Sequence, residues 1–478
     1  MQLLNHALIN GYLIIKEKAE RGNVMSIQEQ NGMQRGLKNR HIQMIALGGA
    51  IGTGLFYGSA ETIRLAGPSI MLSYLIGGLV IFFIMRMLGE MSVDEPVSGS
   101  FSHYAYKYWG EFPGFLSGWN YWFNYIIVSM AELTVVGIYI NYWFPNFPQW
   151  LSALIFLVLI TMANLVSVKL YGEFEFWFAI IKVVAILGMI IFGIMLIFTG
   201  INGQATGFSN LWIHGGFLPN GVSGLILSLV VVMFSFGGIE LIGITAGEAE
   251  NPKKTIPRAI NQVMWRILIF YVGALSVMMM IFPWNKVGMD GSPFVQIFSK
   301  MGIPAAATIL NIVVLTAALS VYNSGIYSNG RMLYSLAKQG NAPKLFGKLN
   351  KKGIPVAGVL ASSALTLVAV ILNYLIPGKV FMYLISIAII AAIINWTMII
   401  ITNLKFRRAK GKDADKLEFK TPLHPYSNYV ALAFLLMIAV LMTTMQDMKL
   451  AVYILPLWLL VLWVGFKIKK TIGNKEAA

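Results

Sequence analysis

Residues Ile45-Ala-Leu-Gly48-Gly49-Ala-Ile-Gly52-Thr53-Gly54-Leu-Phe-Tyr-Gly58 form an apolar stretch in which glycine is unusually frequent. Each glycine inside a helix costs about 1 kcal/mol relative to alanine, so part of this stretch is not expected to be helical. Inside a membrane every freed backbone N–H and C=O group needs a partner, and an interrupted helix persists only where it lines a cavity or contacts a ligand. The stretch therefore predicts a binding site, with a small-residue stripe for close helix packing as an equal alternative.

A helix that restarts near Thr53 would direct its unsatisfied N–H groups, and the positive end of its dipole, at whatever occupies the gap. Such a helix end favours an anion, and in membrane transporters it commonly faces a carboxylate. The stretch is thus suited to a ligand that carries a carboxylate group.

The composition places this site in a membrane protein. Of 478 residues, 57% are hydrophobic and only 12% are charged, whereas soluble domains carry about 25% charged residues. Twelve apolar segments have the length of about 20 residues that a membrane-spanning helix needs. They lie near residues 42–63, 69–91, 114–142, 149–168, 176–199, 221–246, 264–283, 304–330, 356–376, 380–404, 427–446 and 450–468. The predicted fold class is all-α integral membrane, with no soluble domain between the segments.

The charge distribution predicts the orientation. The chain carries a net charge of +16, and 30 of its 36 Lys and Arg residues fall on one side of the predicted membrane, against 5 on the other. By the positive-inside rule both termini are cytoplasmic, and the excess of basic residues needs no nucleic-acid partner. Anionic membrane lipids are the simplest partners for the basic loops. We therefore expect a multi-pass protein of the plasma membrane, with an oligomeric state that the sequence leaves open.

Lys182 is the one basic residue left over by that count, and it lies within the fifth segment. Its long stem would allow it to reach the membrane surface. We favour the alternative that it stays inside the membrane and exchanges a proton, as a coupling group in place of a bound sodium ion. Glu132, in the third segment, is a second ionisable residue inside the membrane, where such residues are often functional. A structural hydrogen bond to a neighbouring helix is an equal alternative for Glu132.

The sixth segment, like the first, contains glycines that disfavour a continuous helix. It contains Phe234-Ser235-Phe236-Gly237-Gly238-Ile-Glu240, with a double glycine and an acid at mid-membrane. Two interrupted helices, each opening a set of five, are typical of an inverted repeat, because an odd number of spans reverses the second copy. Freed carbonyls of Phe234, Ser235 and Gly237 would accept hydrogen bonds from an ammonium group. The two interruptions together therefore predict a site for a zwitterion, with Glu240 assisting in charge balance or proton transfer.

These features divide the chain into four parts. A cytoplasmic tail over residues 1–40 is expected to be dispensable, and Met25 or Met33 is as acceptable a start as Met1. A ten-helix transport core follows over residues 41–406, with repeats of about 41–200 and 220–406. A basic cytoplasmic loop over residues 407–426 leads to helices 11 and 12 and a short cytoplasmic tail over residues 427–478. Near the start of that core, Arg86 and Glu90 are predicted to pair at a helix end, because residues four apart share one helix face.

Several motifs together resemble one family over nearly the whole chain from about residue 35. They are Gly48-Gly-Ala-Ile-Gly52-Thr-Gly54, Gly89-Glu90-Met-Ser, Pro96-Val-Ser-Gly99-Ser-Phe, Glu175-Phe-Trp-Phe with Lys182, Phe236-Gly-Gly-Ile-Glu240 and Thr245-Ala-Gly-Glu248-Ala-Glu-Asn-Pro252. The chain resembles the amino acid, polyamine and organocation transporter superfamily. Within it, the likeness is to the bacterial amino-acid permease branch, and most closely to its proline and threonine permeases.

The resemblance implies the leucine-transporter-type inverted repeat of five plus five helices, with helices 1 and 6 broken, and proton-coupled uptake. It assigns the substrate carboxylate to backbone N–H groups of Gly52, Thr53 and Gly54. It assigns the substrate amino group to carbonyls of Phe234, Ser235 and Gly237, and makes Phe236 a gating aromatic. Lys182 matches the lysine that takes the sodium position in proton-coupled relatives.

The function predicted on these grounds is secondary active import of a neutral L-amino acid, proline- or threonine-like, by proton symport with alternating access. Amino-acid exchange is an alternative that the same residues permit, and a sensor that binds an amino acid without moving it is a less favoured one. An enzyme is less favoured still, because no cluster of side chains has catalytic or metal-ligand spacing. No cofactor or metal is predicted, and the absence of cysteine excludes thiolate chemistry.

Overall fold

The computed structural model describes residues 44, 51–97, 99–199, 207–246, 251–288, 291–376 and 378–477, and these residues form helices and turns without a β-strand. The predicted tail over residues 1–40, with the alternative start residues Met25 and Met33, lies outside the described residues. So do Gly48 and Gly49 of the first motif, together with Glu248.

The described residues contain seventeen α-helices, numbered in chain order. They are α1 (Thr53–Phe56), α2 (Ser59–Ala66), α3 (Ile70–Asp94), α4 (Ser100–Tyr108), α5 (Glu111–Asn141), α6 (Gln149–Val166), α7 (Val168–Thr199), α8 (Gly221–Phe234), α9 (Leu241–Thr245), α10 (Pro252–Arg266), α11 (Ala274–Ile281), α12 (Pro293–Lys300), α13 (Pro304–Lys338), α14 (Val356–Leu375), α15 (Val380–Lys410), α16 (Tyr426–Thr444) and α17 (Lys449–Ala477). A π-helical stretch, Ile267–Gly273, joins α10 to α11. Short 3-10 helices lie at Gly67–Ser69, Phe208–Leu211, Trp284–Lys286, Lys344–Gly347 and Gly411–Lys416.

Ten helical segments of the described chain are long and apolar enough to cross a membrane, so the protein is a multi-pass, all-helical membrane protein. These ten contain the predicted second to fifth and seventh to twelfth spans. The first and sixth predicted spans are the interrupted ones, represented by α1 with α2 and by α8 with α9. A total of twelve crossings therefore stays a prediction.

Helix α5 lies at the centre of the bundle, where it packs against α13, α15, α6 and α14. Its most apolar stretch is 78% buried, whereas that of α17 is only 17% buried. Large apolar side chains such as Phe198 and Val184 point outward, as expected where hydrocarbon replaces water as the solvent. Polar side chains are correspondingly directed inward, and α5, α7 and α13 carry most of those that matter for the site.

The predicted pair of Arg86 with Glu90 is wrong. The carboxylate of Glu90 lies 2.5 Å from the Arg407 guanidinium on α15. The Arg86 guanidinium instead stacks 3.7 Å above the ring of Phe419 and donates to the side-chain oxygen of Asn261 at 2.9 Å. Spacing along one helix identifies neighbours only on that helix. Here Glu90 and Arg86 each bind a partner on another helix instead of each other. The ion pair of Glu90 therefore joins α3 to α15.

Candidate functional site

The described part of the first predicted interruption begins at Ile51, and residues 45–50 lie outside the described residues. Gly52 is extended, with φ −126° and ψ −165°, and α1 begins at Thr53. The carbonyl of Gly52 already accepts the first helical hydrogen bonds, from the N–H groups of Leu55 and Phe56 at 3.2 and 3.3 Å. The N–H groups of the first turn have no acceptor within α1, and their binding of a substrate carboxylate stays a prediction.

The second interruption covers six residues between α8 and α9. The chain leaves the helix after Phe234, forms consecutive turns through Glu240 and resumes at Leu241. Gly238 has φ +96°, a conformation that L-residues with a side chain rarely adopt. A double glycine inside a helix predicts such a break, and the structure shows it at this position.

Two of the three carbonyls predicted to bind an ammonium group already have partners. The Phe234 carbonyl accepts from the N–H of Gly237 at 3.1 Å, and the Ser235 carbonyl accepts from the hydroxyl of Tyr271 at 3.0 Å. A carbonyl oxygen has two lone pairs, so each retains capacity for a second donor. The role of these carbonyls, with that of Gly237, stays a prediction.

The two interruptions touch each other. A Cβ atom added at Gly54 would lie only 2.5 Å from the Cα of Ser235, so the backbones are in direct contact. The Ser235 hydroxyl in turn lies 2.9 Å from the hydroxyl of Tyr74 on α3. Ser235 is therefore held by Tyr74 and Tyr271, two residues that the sequence analysis did not single out. No local pattern identifies them, because each is an ordinary aromatic residue of an apolar helix.

Glu132 contacts the first residue of α1. Its Oε1 accepts a hydrogen bond from the Thr53 hydroxyl at 2.7 Å, and the residue is only 2% exposed. Its other oxygen, Oε2, has no hydrogen-bond partner among the described residues. A carboxyl oxygen without a partner retains the capacity to accept a hydrogen bond.

Lys182 is completely buried, which excludes the alternative in which it reaches the membrane surface in this structure. Its ammonium group donates to the Ile51 carbonyl at 3.2 Å and to the Ser320 hydroxyl on α13 at 3.0 Å. Ile51 is the residue before the extended Gly52, so the lysine binds backbone that the interruption has freed. The structure thus brings Lys182, Glu132 and Gly52 to one place from three distant parts of the chain.

A small cavity lies beside the second interruption. It is lined by Asn124, Tyr125 and Val128 on α5, by Met233, Phe234, Gly237, Gly238 and Glu240 around the break, and by Ala388, Ile389 and Ala392 on α15. The Oε2 atom of Glu240, the Oδ1 atom of Asn124 and the hydroxyl of Tyr125 have no hydrogen-bond partners among the described residues. The cavity therefore combines apolar walls with three unsatisfied polar groups, as ligand sites commonly do.

Phe236 lies apart from that cavity. Its ring packs against Tyr74, with centroids 5.9 Å apart, and against Tyr271 at 5.5 Å. Phe234 is the phenylalanine that lines the cavity, and its ring contacts that of Phe381 edge to face at 6.2 Å. The gating role of Phe236 stays a prediction, and in this structure the residue is part of an aromatic cluster.

The sequence analysis also overlooked Glu175 as a site residue. Its carboxylate accepts from the Ser320 hydroxyl at 2.7 Å and from the side-chain amide of Asn323 at 2.7 Å. Glu175 precedes Lys182 by seven residues, which is nearly two helical turns, so both project from the same face of α7. This seven-residue spacing is a signal in the sequence that could have identified Glu175 as a site residue. In the described part of the chain, no group of three His, Asp or Glu residues is placed to hold a metal ion.

An all-helical, multi-pass chain in which two interrupted helices meet beside buried ionisable side chains has the architecture of a membrane permease. The family follows from comparison with known sequences: residues 41–476 match the amino acid permease family, and the chain belongs to it. Family membership implies the leucine-transporter-type fold. The protein is an amino acid permease and not an enzyme.

Known relatives cover almost the full chain. It is 54% identical to the aromatic amino acid transport protein AroP of Escherichia coli (strain K12) over 444 residues, covering 92% of this chain and 97% of that protein. It is 53% identical to AroP of Salmonella typhimurium (strain LT2) over 448 residues, covering 93% of this chain and 98% of that protein. An uncharacterized amino acid permease of Bacillus subtilis (strain 168), YtnA, is 53% identical over 438 residues, covering 91% of this chain and 95% of that protein.

These relatives correct one sequence prediction. The motifs predict the closest likeness to proline and threonine permeases, but the relatives with an assigned substrate are the AroP aromatic amino acid transport proteins. A proline- or threonine-like substrate is therefore not supported. Two of those motifs lie at the interruptions, where the predicted contacts are with the substrate carboxylate and amino group, and so they carry little information on the substrate side chain.

Proposed function

We propose that this permease imports aromatic L-amino acids across the plasma membrane by proton symport with alternating access. The observation that carries the substrate class is the 54% identity, over 92% of the chain, to an aromatic amino acid transport protein. The charge asymmetry of the loops supports an orientation with both termini in the cytoplasm.

The geometry of the site supports the zwitterionic part of this proposal. Backbone N–H groups of Gly52, Thr53 and Gly54 would bind the substrate carboxylate at the start of α1. Carbonyls of the second interruption would bind the ammonium group, as proposed above. Because the two interruptions are in contact at Gly54 and Ser235, one amino acid backbone would bridge both of them.

The cavity beside the second interruption supports an aromatic side chain. Tyr125 and Phe234 supply aromatic surface, and Ala388 and Ala392 are the small residues of the α15 wall. The cavity has a volume of only about 10 Å³, so this conformation is closed to a substrate. An aromatic ring buries a large apolar area and makes favourable edge-to-face contacts with other rings. Rearrangement between inward-facing and outward-facing states would enlarge the cavity for the substrate.

The proton would be carried by the buried ionisable residues. Lys182 bonds backbone of the first interruption, so a change in its protonation would alter the hydrogen bonding of the Ile51 carbonyl next to the carboxylate site. Glu132 contacts the same helix end through Thr53, and Glu240 lines the cavity. This arrangement provides a direct physical connection between proton exchange and substrate binding.

Uptake into proteoliposomes tests the proposal. Radiolabelled phenylalanine should accumulate above equilibrium when an inward proton gradient is imposed and should not accumulate without it. Excess unlabelled tryptophan or tyrosine should block this uptake, whereas proline or threonine should not. Counterflow without gradient-driven accumulation would replace symport by exchange, and binding without any flux would favour a sensor.

A further inference from the structure

Glu175 is a buried carboxylate that the proposed transport cycle does not yet use. It is completely buried within α7, while its neighbours Phe174 and Trp177 are 40% and 59% exposed. An ionisable side chain inside a membrane is costly unless it is paired or takes part in transport. Both oxygens of Glu175 have partners on α13, namely Ser320 and Asn323, so its position is well defined.

A continuous chain of hydrogen bonds connects Glu175 with Lys182. The Lys182 ammonium group donates to the Ser320 hydroxyl at 3.0 Å. The same hydroxyl donates to Glu175 Oε2 at 2.7 Å. Ser320 therefore accepts a hydrogen bond from one neighbour and donates one to the other, which is the arrangement that proton transfer through a hydroxyl requires.

The chain of contacts leads away from the substrate site and toward the predicted cytoplasmic end of α7 and α13. Beyond Glu175, the hydroxyl of Tyr171 lies 3.3 Å from that of Ser324. Tyr171 stacks on Tyr327 at 3.7 Å, and the Arg331 guanidinium lies 3.4 Å above the Tyr327 ring. On the opposite side, Glu132 is the acidic residue that faces the substrate site. Glu175 thus occupies the position between Lys182 and the cytoplasmic end.

We propose that Glu175 accepts the proton that Lys182 releases, through the hydroxyl of Ser320, on its way to the cytoplasm. The Lys182 ammonium group gives a proton to Ser320 Oγ while the original Ser320 proton moves to Glu175 Oε2. The products are a neutral amine, an intact hydroxyl and a neutral carboxylic acid. Because a positive and a negative group are neutralised together, the transfer leaves no unpaired charge in the membrane interior. The inference rests on the proposed proton symport.

The direct test replaces Glu175 by glutamine, which preserves the size of the side chain and one of its two acceptor oxygens but cannot take up a proton. In Glu175→Gln proteoliposomes we expect phenylalanine counterflow within about twofold of wild type, since exchange needs no net proton transfer. Gradient-driven accumulation should fall by at least about tenfold, as expected for loss of a proton-transfer group. Glu173→Gln, two residues away on α7 and only partly buried, is the matched control and should behave like wild type.

Ser320 provides an independent pair of variants if Glu175→Gln does not fold. Ser320→Ala removes the connecting hydroxyl and should lose gradient-driven accumulation while counterflow persists, whereas Ser320→Thr retains the hydroxyl and should restore accumulation. Wild-type accumulation in Glu175→Gln, or equal loss of counterflow and accumulation in a folded variant, would overturn the relay. Failure of wild-type protein to accumulate phenylalanine with the gradient would instead reject the symport, so the two failures are distinguishable.

Discussion

At the scale of single residues, the site depends on the close approach of two backbones. Gly54 permits contact between the two interruptions, because any side chain at this position would occupy the volume of Ser235. The resulting contact is between the main chains of distant segments, and such contacts tolerate little displacement in a well-packed interior.

Gly54→Ala should therefore abolish uptake. The added Cβ would lie 2.5 Å from the Ser235 Cα, and overpacking of this kind costs about 1–3 kcal/mol and displaces backbone. Phenylalanine uptake should fall by at least tenfold, with a lower thermal unfolding midpoint in detergent. Gly188→Ala on α7 is the matched control, since a Cβ there meets nothing within 4 Å; uptake by this variant should be unchanged. Wild-type uptake by Gly54→Ala would contradict the assigned contact.

The hydroxyl of Thr53 gives a second prediction. Thr53→Val preserves shape but removes the 2.7 Å hydrogen bond to Glu132, and a buried acceptor left without a donor costs about 1–3 kcal/mol. The unfolding midpoint and the uptake rate of Thr53→Val should both fall, whereas Thr53→Ser should remain close to wild type on both measures. Wild-type stability and uptake in Thr53→Val would show that the hydroxyl is not required.

The sequence predicted some of these residues and missed others for a physical reason. Glycines that disfavour helix, and ionisable groups inside apolar segments, are anomalies that can be recognised singly, so Gly54, Glu132 and Lys182 were predicted. Tyr271 is unremarkable in its own helix and becomes important only through Ser235, 36 residues away. Glu175 was visible as an acid, but its link to Lys182 passes through another helix.

At the scale of helices and their connections, the sequence again predicts features that are encoded locally and misses those that depend on distant partners. The two interruptions were predicted because backbone conformation is encoded locally by glycine. The pairing of Glu90 was wrongly predicted because Arg407, its actual partner, approaches from α15. The π-helical stretch Ile267–Gly273 has no local signal that we recognised. Local chemistry thus predicts where a helix breaks, and tertiary packing decides what its polar residues contact.

The connection between α3 and α4 shows such packing outside the membrane spans. Glu95, at the end of α3, lies 3.1 Å from His103 and 2.7 Å from the Lys107 ammonium group, both on α4. The hydroxyl of Tyr104 also donates to the Glu95 carbonyl at 2.6 Å. Burial alone would raise the pKa of the Glu95 carboxyl, but hydrogen bonds and charges of His103 and Lys107 hold this pKa at about 2. The carboxylate therefore anchors α4 against the end of α3.

This anchor predicts a specific dependence of stability on pH. Because the folded-state pKa of Glu95 lies below its ordinary value of 4.5, its stabilising effect is present above that value and is lost as pH falls toward about 2. Glu95→Gln should lower the unfolding midpoint at pH 7 and pH 5, and the difference from wild type should shrink at pH 3. Glu418→Gln, which removes the exposed pair with Lys253, should have no measurable effect. A pH-independent deficit in Glu95→Gln would contradict this account.

At the scale of the whole molecule, ten helical segments of the described chain are long and apolar enough to cross a membrane, and they correspond to ten of the twelve predicted spans. Hydropathy alone predicts the spans well because the membrane requires continuous apolar helices. It does not determine which helix is central. The burial of α5 and the exposure of α17 depend on packing among distant helices, and the substrate side chain depends on the cavity that this packing leaves.

The orientation of the molecule can be tested on one helix. Lys379 and Lys412 are exposed and lie just beyond opposite ends of α15, a helix of 31 residues, about 46 Å in length and long enough to cross the membrane. The chain contains no cysteine, so single cysteine variants have no background reaction with thiol reagents. In intact cells a membrane-impermeant maleimide should label Lys379→Cys but not Lys412→Cys, and both should react after permeabilisation. The reverse pattern would invert the orientation derived from the positive-inside rule. Labelling of both variants in intact cells would contradict the crossing of the membrane by α15.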